Sequence, residues 1–172
     1  KLDFGTGPEV IQFHFTAVRD TLSLSIDNQV GITQNVYVSE LKQPLDSNVM
    51  YSGSLMDQSI RDKYLDPQKL ISNGVPVYNG GDSLSFDFSK EFTLDLIDRL
   101  NGMELDTLDN YLEKFPGIYI TTDTPVEFGG RINMFDLPIK TNSYGYISGN
   151  YAELKIRSTY EYSDEPVDTS FL

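Results

Sequence analysis

Apolar and polar residues alternate with a period of two along most of the chain, and the period lengthens to about four most clearly around residues 90–115. Over residues 9–17 the odd positions Ile11, Phe13, Phe15 and Ala17 are apolar, with Gln12, His14 and Thr16 opposite. That pattern predicts a half-buried strand. Residues 21–27 repeat it, with Leu22, Leu24 and Ile26 against Thr21, Ser23 and Ser25. A third strand is predicted over residues 35–41, with Val36 and Val38 on one face and Tyr37 on the other. Arg19-Asp20 and Asp27-Asn28-Gln29 supply the turns between them. Residues 42–82 carry Pro44, Pro67 and Pro76 together with Asn73-Gly74 and Asn79-Gly80-Gly81. They predict an irregular connection, with a helical spacing only over 55–65 (Leu55, Ile60, Tyr64).

Residues 83–88 alternate again, Leu84, Phe86 and Phe88 on one side. Phe92, Leu96 and Leu100 then fall four apart with Ile97 beside them, which predicts a helix. Ser89 can cap its start, Glu91 suits the positive end of its dipole, and Asn101-Gly102 stops it. A second short helix is predicted with Asp106 or Thr107 as cap, Leu108, Tyr111, Leu112 and Phe115 as its apolar positions, and Pro116-Gly117 as its stop. Beyond it, Ile118 and Ile120 alternate with Tyr119 and Thr121. Residues 131–137 are apolar on both faces, which suits a strand buried between layers. Residues 153–162 alternate most cleanly: Leu154, Ile156, Ser158, Tyr160 and Tyr162 against Lys155, Arg157, Thr159 and Glu161. The last residues, 167–172, turn apolar where the chain stops, as a strand cut short would. The pattern predicts a mainly β chain, a jelly-roll-like β-sandwich with two short helices inserted around residues 90–115, built as one domain over residues 1–172.

Composition narrows the partners. The chain has 172 residues, 39% of them hydrophobic, enough for one domain with a core of its own. Twenty-six acidic residues against 13 basic ones give a formal charge of −13, which repels a phosphate backbone and argues against nucleic acid. No apolar run approaches the roughly 20 residues of a membrane span. The absence of Cys removes disulfides, thiolate metal sites and Cys nucleophiles together.

Two groups of segments resemble a known family. Phe115-Pro116-Gly117-Ile118-Tyr119-Ile120-Thr121-Thr122-Asp123 is followed by Gly129-Gly130-Arg131-Ile132-Asn133-Met134-Phe135, and later by Asn150-Tyr151-Ala152-Glu153-Leu154-Lys155. Earlier come Val36-Tyr37-Val38-Ser39-Glu40-Leu41 and Met50-Tyr51-Ser52. This succession resembles an uncharacterised family of Bacteroidota lipoproteins known only as a domain of unknown function. The resemblance implies a signal peptide and a lipidated Cys upstream of Lys1, attachment to the outer membrane in the cell envelope, and a further strand segment past Leu172. The chain is accordingly expected to be part of a longer lipoprotein trimmed at both ends, touching the membrane only through that upstream anchor. The resemblance carries no catalytic residues.

The candidate chemistry is thin. Gly81-Asp82-Ser83-Leu84 spells the nucleophile motif of a lipase and esterase family, but that family's Asp-x-x-His base occurs nowhere in the chain. Without a base Ser83 stays a weak nucleophile. The single His, His14, lies on a polar strand face with no other His or Cys to complete a metal site. Asp95 with Asp98, and Asp106 with Asp109, could pair as glycosidase carboxylates, yet helical spacing reads them as solvated faces. Asp123 with Glu127, or Asp82 with the Asn79 carbonyl, could offer oxygens to calcium, but no Asp-x-Asp-x-Asp-Gly loop is present. No cofactor and no metal site are expected. The one candidate ligand site is Tyr144, Tyr146, Asn150 and Tyr151, three rings and an amide around a Gly-containing segment, where a sugar could stack. The expected function is a non-catalytic envelope lipoprotein module that binds a glycan or supports an envelope protein. The alternative is a carbohydrate-binding or carbohydrate-active protein using Tyr platforms and loop carboxylates.

Overall fold

The computed structural model describes residues 1–20, 33–49, 58–104, 107–123, 135–137, 140–141 and 147–172. In chain order the described elements begin with β1 (Thr6–Arg19), β2 (Gln34–Leu41), α1 (Gln58–Tyr64), β3 (Leu65–Leu70), β4 (Val77–Tyr78), β5 (Ser83–Asp87) and α2 (Lys90–Leu100). They continue with α3 (Leu108–Lys114), β6 (Ile118–Thr122), β7 (Phe135–Asp136), β8 (Lys140–Thr141), β9 (Ile147–Ser148), β10 (Tyr151–Thr159) and β11 (Val167–Phe171). The expected class holds: the protein is mainly β, its sheets are antiparallel, and the arrangement is sandwich-like. One sheet runs β11-β10-β1-β5, with β7 also paired to β1; a second runs β3-β2-β4, with β6 also paired to β2; and β8 pairs with β9 as a small two-stranded sheet.

β1 organises the first sheet because its alternation gives it one apolar and one polar face, and because both of its edges are taken. β10 pairs along most of its length and β5 along its second half. The pairing with β10 slips once between Val10, opposite Ile156, and Gln12, opposite Lys155. Ile11 is thus the extra residue of a β-bulge, which reverses the side-chain parity on either side of it. Val10 is buried, Phe13, Phe15 and Ala17 follow it inward, and Ile11 is 45% exposed. The predicted apolar face is corrected at that one position.

A second slip lies between Thr6 and Glu9, just after Gly5, whose φ is +70°. A Cβ at Gly5 would sit 2.6 Å from Ser158 Oγ and 2.7 Å from the Thr159 carbonyl oxygen. Gly7 has a similar φ of +63° but open space around it. Gly5→Ala is therefore expected to destabilise the fold by about 1–3 kcal/mol, the cost of a strained left-handed residue made worse by the contact. Gly7→Ala should lose measurably less in the same urea denaturation series, since it meets only the conformational part.

The core lies between the sheets and is closed at one end by α2. The inward residues Leu84 and Phe86 of β5, Leu154 and Ile156 of β10, and Val36 and Val38 of β2 are all buried, as the alternation predicts. α2 buries Phe92, Thr93, Leu96, Ile97 and Leu100. Its start is set by Ser89, whose Oγ accepts from the Phe92 N–H at 3.2 Å. Aromatic rings run from sheet to helix: Phe13 to Phe88 at 4.4 Å, Phe86 to Phe88 at 5.3 Å, and Phe88 to Phe92 at 5.4 Å between centroids.

α3 begins at the predicted Thr107 cap, whose Oγ1 accepts from the Asn110 N–H at 3.3 Å. Its predicted apolar stripe is only partly used. Tyr111 packs on the core, as does Phe115 just after the helix, but Leu108, in the first turn, is 70% exposed. Residues 42–82 are more regular than expected. α1 matches the helical spacing predicted over 55–65, but β3 and β4 were not legible. β3 reads Leu-Asp-Pro-Gln-Lys-Leu, without alternation, and tolerates Pro67 because it lies at the edge of its sheet. β10 ends at Thr159, so Tyr162, placed inward by the pattern, is 77% exposed. Of the strand predicted over 131–137 the described part is Phe135–Asp136, followed by Leu137 at 62% exposure rather than burial. The strand predicted over 21–27 lies outside the described residues. The apolar C-terminal stretch is a strand, β11, held to β10 by Arg157, whose Nε and Nη2 donate to Asp168 Oδ1 and Oδ2 at 2.7 and 3.1 Å. That fork holds the Asp168 carboxyl below the usual aspartate range. No helix among the described residues is long and apolar enough to cross a membrane.

Candidate functional site

The polar face of β1 carries Gln12, His14 and Thr16. Register brings Ser85 and Asp87 of β5 beside them on one flank, and Tyr151, Glu153 and Lys155 of β10 on the other. His14 Nδ1 donates to Asp87 Oδ1 at 2.7 Å, and Gln12 Nε2 donates to the same oxygen at 3.1 Å. In the neutral imidazole with its proton on Nδ1, Nε2 is the acceptor for the Thr16 hydroxyl 3.0 Å away, and the Thr16 and Ser85 hydroxyls share a hydrogen bond of 2.9 Å.

Carboxylate, imidazole and hydroxyl stand in the order used by hydrolytic triads. The surroundings differ. The β1 backbone here is paired to β5 on one side and β10 on the other, so its N–H groups are committed to the sheet. The described β1 backbone at Thr16 thus offers no free pair of N–H donors to a developing oxyanion, a stabilisation that is usually the largest part of such catalysis. What the arrangement does physically is lock a row of polar side chains across β1 and β5.

The second feature is a cleft between the sheets. Two adjoining hollows of about 400 and 460 Å³ share Phe15, Ile120 and Leu137 as walls. Ile118, Asn150, Tyr151 and Ala152 line the second. Gly149 positions this end of the sheet: its φ is +91°, and a Cβ there would lie 2.8 Å from Val18 Cγ2.

Of the predicted ligand residues, Tyr144 and Tyr146 lie outside the described residues. Asn150 is buried, and its Oδ1 accepts from the Val18 N–H at 2.6 Å, tying the start of β10 to the end of β1. Tyr151 is half-buried, opposite Thr16, with its ring centroid 5.9 Å from that of His14. Neighbours in sequence, these two residues have different surroundings.

Ser83 opens β5, and the hydroxyls bonded to the His14 relay are those of Thr16 and Ser85. Asp95 and Asp98 are exposed on α2, with Asp95 Oδ2 3.0 Å from Arg99 Nη2, and Asp109 is exposed on α3. Asp123 accepts from the Tyr37 hydroxyl at 2.7 Å, which raises the Tyr37 pKa above that of a free phenol. Asp82 is exposed, and the Asn79 side-chain oxygen accepts from the Gly81 N–H at 3.1 Å. Asp106 and Glu127 lie outside the described residues. Among the described residues no group of three or more His, Asp or Glu gathers as a metal site.

Sequence reasoning treated His14 as isolated and missed Asp87 and Ser85. The available signal was that both occupy the polar positions of the strand predicted over 83–88. Which strands pair, however, is not written in either segment. No family model, curated protein or solved structure matches the chain.

Proposed function

We propose that this chain is a non-catalytic module of a cell-envelope lipoprotein, with a binding or structural role and with a glycan or an envelope protein as partner. The observation that carries the reading is the inter-sheet cleft. Its walls are apolar side chains such as Phe15, Ile118, Ile120 and Leu137, while the described carboxylates of α2 and α3 lie on solvent-facing helix surfaces. An apolar recess with a few polar groups at its rim is suited to holding a ligand. The His14 relay, the one described arrangement with proton-transfer geometry, is built into a paired sheet. The envelope location and the lipid anchor rest on the sequence resemblance alone. The carbohydrate reading has one described support, the half-buried Tyr151 ring at the rim of the cleft.

The test has two arms. Chromogenic esters and glycosides are expected to show no turnover above buffer. Turnover abolished by His14→Ala or Asp87→Asn would overturn the non-catalytic reading. In a thermal-shift and saturation-transfer screen of oligosaccharides, any ligand that binds is expected to lose its signal when Ala152→Trp fills the cleft. Binding untouched by that variant would place the ligand elsewhere and remove the cleft from the proposal.

A further inference from the structure

β11 is bonded to β10 on one side and to no described strand on the other. Its sequence, Val-Asp-Thr-Ser-Phe, has strong strand formers at alternate positions and neither the Pro nor the Lys that commonly blunts a free edge. Its one charge, Asp168, is already occupied by Arg157. Exposed apolar side chains lie at both ends of this strand: Val167 at 37% and Leu172, just past it, at 76%. An unblunted edge with apolar flanks is an interaction surface rather than an ordinary solvent face.

From this edge we infer that β11 pairs with β11 of a second copy of this chain, antiparallel about a two-fold axis at Thr169, joining the two first sheets into one. The register follows from the residues. Directly opposed residues of an antiparallel pair point to the same face, so pairing positions of like parity keeps the inner faces of both sandwiches on one side. Centring on Thr169 pairs all five residues: Val167 with Phe171, Asp168 with Ser170, and Thr169 with itself. It also sets Leu172 against Pro166 of the second copy. Centring on Asp168 opposes two carboxylates, and centring on Ser170 leaves Val167 without a partner in the strand. The Thr169 register places apolar groups together on the inner face and opposes no like charges. Each copy carries a formal charge of −13, and one strand pair is a small interface. The dimer is therefore weak and strengthens with salt, as the repulsion between copies is screened.

Sedimentation equilibrium of the 172-residue chain over a concentration series, at low and high salt, tests this. The expected result is a concentration-dependent dimer, favoured at high salt. Ser170→Lys faces Asp168 of the second copy twice over, and should tighten the dimer about five- to tenfold at low salt, with the gain shrinking as salt is added. Ser170→Asp sets a further carboxylate against Asp168 of the second copy twice over and should abolish the dimer at low salt, while the thermal midpoint shows the fold intact because Ser170 is exposed. A chain that stays monomeric throughout, in wild type and Ser170→Lys alike, overturns the inference. A dimer indifferent to both substitutions also overturns it, since its interface then lies elsewhere.

Discussion

Phe88→Ala is expected to cost about 3–5 kcal/mol of folding stability, the largest loss from any single truncation in the core. Phe88 is 6% exposed and stands at the junction of three elements. Its ring touches Phe13 of β1, Phe86 of β5 and Phe92 of α2, with centroids 4.4, 5.3 and 5.4 Å away. Its N–H donates to the Phe13 carbonyl at 2.8 Å, so the backbone is pinned while the side chain is removed. Neighbours held in this way collapse poorly into the space left behind, and residual cavity is what makes a truncation costly. Phe88→Leu should lose far less, because it keeps most of the volume. Tyr162→Ala, at an exposed ring, should stay within about 0.5 kcal/mol. Urea denaturation with an unchanged m-value is the measurement. A loss for Phe88→Ala no greater than that for Tyr162→Ala would mean that the aromatic row does not hold the helix to the sheet.

How much of this fold could be read from the sequence is best seen at particular residues. The alternation placed Leu84, Phe86 and Phe88, Val36 and Val38, and Leu154 and Ile156 inside, and all are buried. Period two depends only on a strand having one wet and one dry face, so it survives without knowledge of the partner strand. Ile11 and Tyr162 failed for different reasons. Ile11 looked inward because a bulge is a property of the pairing between β1 and β10, and a single strand's pattern does not contain it. Tyr162 continued the alternation beyond the point where the backbone turns, at the Ser163 N–H to Tyr160 carbonyl bond of 3.0 Å. The caps Ser89 and Thr107 were legible because capping is local. The relay of Asp87, His14, Thr16 and Ser85 was not, since residues 73 positions apart meet only through sheet register. Of the proposed ligand set, Asn150 shows the same limit: an amide that reads as a sugar contact is engaged in closing the sheet on Val18.

Arg99 offers the other large effect, and its origin is electrostatic rather than volumetric. Its Nη1 donates to Glu40 Oε1 at 2.7 Å and to the Lys114 carbonyl at 2.6 Å, and its Nη2 reaches Glu40 Oε2 at 3.3 Å and Asp95 Oδ2 at 3.0 Å. One guanidinium thereby joins α2 to the end of β2 and to the last turn of α3. The Glu40 side chain is only 13% exposed, so Arg99→Met leaves a largely desolvated carboxylate without its counter-charge. Breaking a fully buried pair in this way costs about 3–5 kcal/mol; with Arg99 itself 26% exposed, about 2–3 kcal/mol is expected here. Arg99→Lys should rescue little, because an ammonium cannot make the forked contact. The double variant Glu40→Met with Arg99→Met should recover much of the loss, since it removes the stranded charge along with its partner. Urea denaturation of the four proteins in this cycle separates the contributions. A double variant as damaged as Arg99→Met alone would show that the bridges to Lys114 and Asp95, rather than the neutralisation of Glu40, hold this corner of the sandwich together.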